Sequence, residues 1–166
     1  LVGEAVAEFR GDGPPEREVK LELPIEAHLP HTYVPSERLR LEMYKRLADV
    51  RQVDDVEQLR AELLDRYGPL PESVEALTQI AVLRVAVRAA DIGEVTSAGS
   101  NIRFAPVALK ESAKLRINRI YPKSLYKEAA AVLLIPAPRE PGIGGKPLRN
   151  RELLDWVSRA VATIAG

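Results

Sequence analysis

The sequence predicts an α+β fold, in which about five helices and a small mixed or antiparallel sheet form one compact domain. Two patterns indicate this class. Long stretches over residues 36–91 repeat apolar residues at helical spacing, whereas short apolar runs separated by turn residues follow Gly93. The chain has 166 residues, of which 46% are hydrophobic and 29% are charged, so it is long enough to bury a core of its own.

The first predicted strand runs from Val19 to Leu23, where apolar and polar residues alternate. Pro24 ends this strand because its nitrogen has no hydrogen to donate to a neighbouring strand. Residues 25–35 contain two further prolines and are expected to form an extended connector. A short helix is expected earlier, in residues 1–10, before a linker of glycine and proline.

Three helices are predicted next, over residues 36–50, 54–68 and 72–91. Ser36 is the expected N-cap of the first helix. The second is expected to begin with a capping box, in which Asp54 and Glu57 satisfy each other's backbone N–H groups, and to end at Gly68, because glycine readily adopts the left-handed conformation that closes a helix. The third is apolar around more than half of its circumference, so we expect it to be the central packing element.

The elements predicted after Gly93 are shorter. They are a hairpin with strands at 95–97 and 101–104, a helix at 107–118, a buried strand at 132–135 and a last helix at 149–164. The glycines before the last helix suggest a phosphate-binding loop. We exclude one, because Pro147 follows Lys146 at the position where that motif needs Ser or Thr.

Charge is distributed unevenly along the chain although the net charge is zero. Residues 1–102 carry 12 basic and 19 acidic side chains, whereas residues 103–166 carry 12 and 5. The basic half could bind phosphate groups, or it could be the solvated side of a domain whose halves offset each other. Its relevant side chains are Arg103, Lys110, Lys114, Arg116, Arg119, Lys123, Lys127, Arg139, Lys146, Arg149 and Arg151.

The residue inventory argues against catalysis. The absence of cysteine excludes disulfides, thiolate nucleophiles and zinc ribbons. His28 and His31 are the only histidines, which is too few for most histidine-based metal sites. Paired carboxylates such as Asp54 and Asp55 are typical of solvated helix faces. We therefore expect no enzyme activity, metal or cofactor in this chain, and no membrane span, since no apolar run reaches 18 residues.

Two acids on the second predicted helix form a more specific feature. Glu62 and Asp65 are three residues apart, so they project together from a face rotated away from the apolar stripe. An arginine of a partner protein could bridge both carboxylates. The alternative is internal pairing, of Glu62 with Arg66 four residues later and of Asp65 with nearby bases. From the residues alone, internal pairing is the favoured interpretation.

Four consecutive motifs resemble a known family. They are Val-Lys-Leu-Glu-Leu-Pro at 19–24, Leu-Pro at 29–30, a helix containing Tyr-Lys-Arg within 33–48, and Glu-Leu-Leu-Asp-Arg-Tyr-Gly-Pro-Leu-Pro at 62–71. In this order they resemble the C-terminal domain of the bacterial transcription-repair coupling factor family. The resemblance extends over about residues 17–104.

The resemblance implies a role in DNA repair. In that family the whole protein is an ATP-dependent DNA translocase, with ATP and Mg²⁺ in its motor domains, that displaces RNA polymerase stalled at lesions and recruits the excinuclease-A protein. Residues 1–16 would be the tail of the translocase module with a linker, and residues 17–166 the regulatory domain of a longer, cytoplasmic protein. This domain would be a non-catalytic autoinhibitory clamp that docks on the N-terminal excinuclease-B-like module and masks the binding site for the excinuclease-A protein.

The resemblance also implies where the clamp makes contact. Glu62 and Asp65 match the acidic interface residues of the family in the Glu-Leu-x-Asp-Arg-aromatic-Gly motif, and these residues face arginines of the N-terminal module. Arg66 and Glu57 are expected to support that interface. The alternative function is a nucleic-acid-binding accessory domain that uses the basic residues within 103–151.

Overall fold

The computed structural model describes residues 18–166, which form an α+β domain with a mixed sheet and so confirm the predicted class. The predicted helix in residues 1–10 lies outside the described residues. The elements are strand β1 (Lys20–Glu22), helices α1 (Glu37–Ala48), α2 (Val53–Tyr67) and α3 (Glu72–Ala89), strands β2 (Glu94–Ala98) and β3 (Asn101–Ala105), helix α4 (Glu111–Ile120), strand β4 (Leu125–Lys127), a 3-10 turn (Glu128–Ala130), strand β5 (Val132–Pro136) and helix α5 (Asn150–Ala165).

The five strands of the described residues lie in the order β1-β2-β3-β5-β4. β1 runs parallel to β2, and the other neighbours are antiparallel. Because parallel strands need a long crossover, helices α1 to α3 all lie in the connection between β1 and β2. One face of the sheet buries alternate apolar residues, including Val95, Ile102, Phe104, Leu133 and Ile135. The predicted hairpin and the predicted strand at 132–135 are both present.

Helix α3 joins two hydrophobic cores. Leu83 and Val87 pack with the sheet and α5, whereas Val74 and Ala81 pack with α1 and α2. A helix that contacts both layers must be apolar around most of its circumference. This double contact confirms α3 as the central packing element.

The start of α2 differs from the prediction. The helix begins at Val53 and its N-cap is Gln52, so the predicted capping box of Asp54 and Glu57 is wrong. Instead, Asp55 Oδ2 accepts the backbone N–H of Gln52 at 3.2 Å and that of Arg51 at 3.3 Å. Asp55 occupies the third helical position, from which a carboxylate reaches back to the cap. Two adjacent aspartates made the cap position ambiguous in the sequence.

Two further differences lie around α4. The helix spans residues 111–120 rather than 107–118, because Val107 is held in an extended segment by its backbone hydrogen bond to Ala131 at 2.8 Å. Strand β4 was not predicted. Its three residues are too short to display an alternating pattern, and pairing with β5 stabilises them at the edge of the sheet.

Candidate functional site

The acidic face of α2 is built by packing on its opposite side. Val56, Leu59 and Leu63 are buried against α1 and α3, which turns Asp65 outward and leaves Glu62 only partly accessible. Thus both acids reach the surface as predicted. Their environments are not alike.

Glu62 pairs with two arginines of the same domain. Arg46 on α1 donates from Nη1 and Nη2 to the two carboxylate oxygens of Glu62, at 2.8 and 2.9 Å. Arg66 approaches Glu62 Oε2 at 3.5 Å, which is the internal pair expected from the spacing of four residues. The hydrogen bond from Arg46 is the main cause that lowers the pKa of Glu62, and the same bond raises the pKa of Arg46.

Asp65 has no comparable partner. Its side chain is exposed and forms no hydrogen bond or salt bridge with any residue in 18–166. Arg66, its neighbour in the chain, lies with its guanidinium carbon 5.3 Å from the centre of the Tyr67 ring and contacts Glu62. A partner protein therefore meets one free carboxylate and one that already has two internal partners.

The surface around Asp65 is mainly polar and includes two exposed apolar residues, Ala61 and Leu64. Glu57 is exposed about two turns before Asp65 on the same helix, with Ala61 between them. Leu64, beside Asp65, is 46% exposed. We call Glu57, Ala61, Glu62, Leu64 and Asp65 the α2 face. Glu57 lies on it but does not contact Glu62 or Asp65 through any observed hydrogen bond.

Residues that no sequence pattern singled out for a role hold the α2 face in place. Tyr33 donates its hydroxyl to the carbonyl oxygens of Leu63 and Gly68, at 3.1 and 2.8 Å, and so anchors the C-terminal end of α2. On the other side of the helix, Arg60 binds Glu75 of α3 through two hydrogen bonds of 2.9 and 2.7 Å. Arg46 and Tyr33 both lie within the motif at 33–48 that carries the family resemblance. That position was the one indication in the sequence that they have a role.

Several side chains of the predicted basic surface are already paired within the domain. Arg103 pairs with Glu94 across strands β2 and β3. Lys114 pairs with Glu111 and with Glu128, which follows β4. Arg116 donates from Nε and Nη2 to the carbonyl of Thr163, at 3.0 and 2.8 Å. The remaining basic side chains lie on several different elements. They do not follow one strand or one helix, as a simple phosphate-binding track would.

Within residues 18–166 no three His, Asp or Glu side chains come together as metal ligands would. His28 and His31 lie exposed on the connector, where the backbone N–H of His28 donates to the carbonyl of Ser73. None of the helices in this part of the chain combines the length and apolar character needed to span a bilayer.

The chain is similar to proteins named transcription-repair-coupling factor. The chain is 38% identical to the transcription-repair-coupling factor of Mycobacterium bovis over 179 aligned positions, which include 100% of this chain and 14% of that protein. It is 40% identical to the factor of Myxococcus xanthus over 90 positions, or 53% of this chain and 7% of that protein. The chain thus spans only a small part of the length of these relatives.

A solved structure shows the same fold. The crystal structure of a C-terminal domain of transcription-repair coupling factor matches 89% of this chain and 92% of its own chain, with a TM-score of 0.70 and 20% identity. The model of the TRCF domain family matches residues 23–118, which is more than half of the chain. The chain therefore belongs to the TRCF domain family and has the fold of the C-terminal domain of transcription-repair coupling factor.

Proposed function

We propose that this domain is a non-catalytic regulatory clamp in a cytoplasmic transcription-repair coupling factor. The whole protein would use ATP and Mg²⁺ in its motor domains to displace RNA polymerase stalled on damaged DNA, and would recruit the excinuclease-A protein. The clamp would dock through the α2 face on the N-terminal excinuclease-B-like module and mask the binding site for the excinuclease-A protein. The names of the relatives support the setting, and the α2 face supports the mode of docking.

The single observation that carries this proposal is the free carboxylate of Asp65 beside the held carboxylate of Glu62. An arginine of the N-terminal module can pair with Asp65 without breaking any internal bond. Glu62 retains acceptor capacity as well, because a carboxylate offers about four acceptor sites and Arg46 occupies two of them. The contact of Arg66 with Glu62, at 3.5 Å, is the weakest of the three and the easiest to exchange.

Such an interface would be reversible. Its charged contacts are exposed at the rim, where ion pairs contribute little affinity but fix orientation and the rate of encounter. The α2 face has two apolar residues, Ala61 and the larger Leu64, so the apolar area that it can bury is limited. A competing partner can then displace the clamp, which is the property that a regulatory contact requires.

The decisive experiment is a titration of this chain with the purified N-terminal module at low and at high salt. We expect docking to weaken as salt rises, because the contacts are between exposed charges. Asp65→Asn should weaken docking about threefold at low salt, since it removes the free charge while preserving side-chain shape and an exposed ion pair contributes less than about 1 kcal/mol. The matched control is Asp155→Asn, at an exposed position of α5. Equal affinity of Asp65→Asn and the control would disprove docking through the α2 face.

A further inference from the structure

A groove lies between helix α4 and strand β4. The residues that form it are distant in sequence from those of the α2 face. The volume of the groove is about 360 Å³. The apolar residues that line it are Leu109, Leu115, Ile117 and Leu133, together with the ring of Tyr126. Leu115 is 72% exposed although it lies on a helix that packs on the core. The groove is large enough for one or two apolar side chains of a partner.

The walls of this groove are fixed by internal bonds. The ammonium group of Lys114 binds Glu111 on its own helix and Glu128 beside β4, at 2.9 Å each, and lies 5.8 Å from the centre of the Tyr126 ring. Tyr126 in turn donates its hydroxyl to the carbonyl of Val107 at 2.8 Å. These bonds link α4 to the sheet edge, so the groove is a built feature of the fold.

One side of the groove is the last strand of the sheet. β4 pairs with β5 along one edge, and no strand among residues 18–166 pairs with its other edge. Such an edge presents backbone N–H and C=O groups that an added strand can bind. Leu125 on this strand is 53% exposed.

The rim of the groove is basic. Residues 109–133 contain six basic and two acidic side chains, and both acids bind Lys114. Arg116 donates two hydrogen bonds to the carbonyl of Thr163. Three other cations, Lys110, Arg119 and Lys123, have no side-chain hydrogen bond or salt bridge within the described part of the chain, and each is next in sequence to a residue that lines the groove. Lys127 follows Tyr126 on β4 and therefore projects from the opposite face of the sheet.

We propose that this groove binds an extended, acidic segment of a partner protein, which adds as a strand to β4 and places an apolar side chain between α4 and the sheet. Lys110, Arg119 and Lys123 supply the charge complementarity. A phosphate backbone would satisfy the cations but would leave the apolar floor and the exposed leucines without a contact. This inference uses a different surface from the α2 face, and it holds whether or not the α2 face docks.

The test begins with a selection of short random peptides displayed on phage against the whole chain. We expect enrichment of peptides that alternate apolar residues with Asp or Glu. The enriched peptide is then synthesised and titrated into variants. Leu115→Ser and Arg119→Glu should each weaken its binding about tenfold, because they remove a groove contact and reverse a rim charge. The matched controls are Leu41→Ser on α1, where the leucine is 63% exposed, and Arg159→Glu on α5.

A second readout tests addition to the strand. Methylation of alternate backbone nitrogens in the peptide should abolish binding for one of the two alternating sets and not for the other, because only one edge of an added strand faces β4. Failure to enrich acidic peptides, or equal binding to the Leu115→Ser and Leu41→Ser variants, would refute the proposal. So would binding of a duplex DNA oligomer that depends on Arg119, or self-association in sedimentation that Arg119→Glu abolishes, because the occupant would then be nucleic acid or a second copy.

Discussion

The guanidinium of Arg46 on α1 donates two hydrogen bonds to the two carboxylate oxygens of Glu62 on α2. This bidentate pair fixes the relative position of two helices that meet at the surface. Asp65, one turn further along α2, takes part in no such pair within the described residues. The two acids therefore contribute differently. Glu62 joins α1 to α2, and Asp65 supplies charge that is free for a partner.

Replacing Arg46 by methionine should separate these two contributions. Arg46→Met removes the bidentate pair, and we expect it to lower the free energy of unfolding by about 1 kcal/mol, since the pair is partly solvent-exposed. The same change leaves Glu62 available to an arginine of the N-terminal module, so docking should become several-fold tighter. Urea denaturation followed by circular dichroism measures the first effect, and titration with the N-terminal module measures the second.

The matched control for that experiment is Arg38→Met. Arg38 contacts Glu42 at 3.6 Å, and both side chains are highly exposed. Its removal should change neither quantity measurably. Weaker docking of the Arg46→Met variant would contradict the prediction that the bond from Arg46 competes with the partner for Glu62. It would indicate instead that Arg46 contributes to docking.

Stability should also depend on acid pH through two glutamates. Hydrogen bonds from arginine lower the folded-state pKa of Glu62 and of Glu75 below the ordinary value of 4.5. A lowered carboxyl pKa stabilises the fold above that ordinary value, and the stabilisation is lost as the pH falls through the folded-state pKa. We expect the unfolding midpoint in urea to be constant from neutral pH to about pH 5 through these two groups, and then to fall.

Glutamine variants test the origin of that fall. Glu75→Gln removes the titrating group that Arg60 binds, so its midpoint should start lower at neutral pH and decline less in acid. Asp155→Asn, at an exposed position, should follow the wild-type curve. Parallel curves for Glu75→Gln and the wild-type chain would mean that the pair with Arg60 contributes no pH-dependent stability.

The sequence predicted those elements whose residues carry a periodic pattern. Helices α1 to α3 and strand β5 were recognised because their apolar residues recur at the helical spacing or in one buried run. The short strand β4 was missed, since it is stabilised by its neighbour β5 rather than by its own three residues. The start of α2 was misplaced because Asp54 and Asp55 are equally suitable partners for a cap.

The site was predictable only in part for a similar reason. Spacing along one helix placed Glu62 and Asp65 on a common face and suggested the contact with Arg66. The stronger partner, Arg46, lies 16 residues earlier on another helix, and only the packing of α1 on α2 brings it within 2.8 Å. Single-sequence spacing holds no information on such a contact. It therefore could not show that one acid is paired and the other free.

Arg84 on α3 should be a site where the domain can be stabilised. Its guanidinium is partly buried and forms no salt bridge within residues 18–166, and burial is the main cause that lowers its pKa, followed by the charge of Arg88. We expect Arg84→Met to raise the free energy of unfolding by about 0.5 to 1 kcal/mol, because it removes the cost of burying an unpaired charge but keeps an unbranched apolar stem. Arg159→Met, on the exposed side of α5, is the control for thermal unfolding. Destabilisation by Arg84→Met would contradict the prediction and would indicate that the guanidinium forms a stabilising polar interaction in solution.

Tyr33→Phe should weaken docking without altering any charge on the α2 face. The hydroxyl of Tyr33 is the donor that holds the carbonyls of Leu63 and Gly68, so its loss should cost about 1 kcal/mol and loosen the last turn of α2. Hydrogen exchange of the amides in that turn should become faster, and affinity for the N-terminal module should fall because Asp65 is held less firmly. Tyr121→Phe, whose hydroxyl makes no observed hydrogen bond, provides the control. If exchange becomes faster while affinity is unchanged, the partner does not depend on the position of Asp65, and the α2 face is not the docking surface.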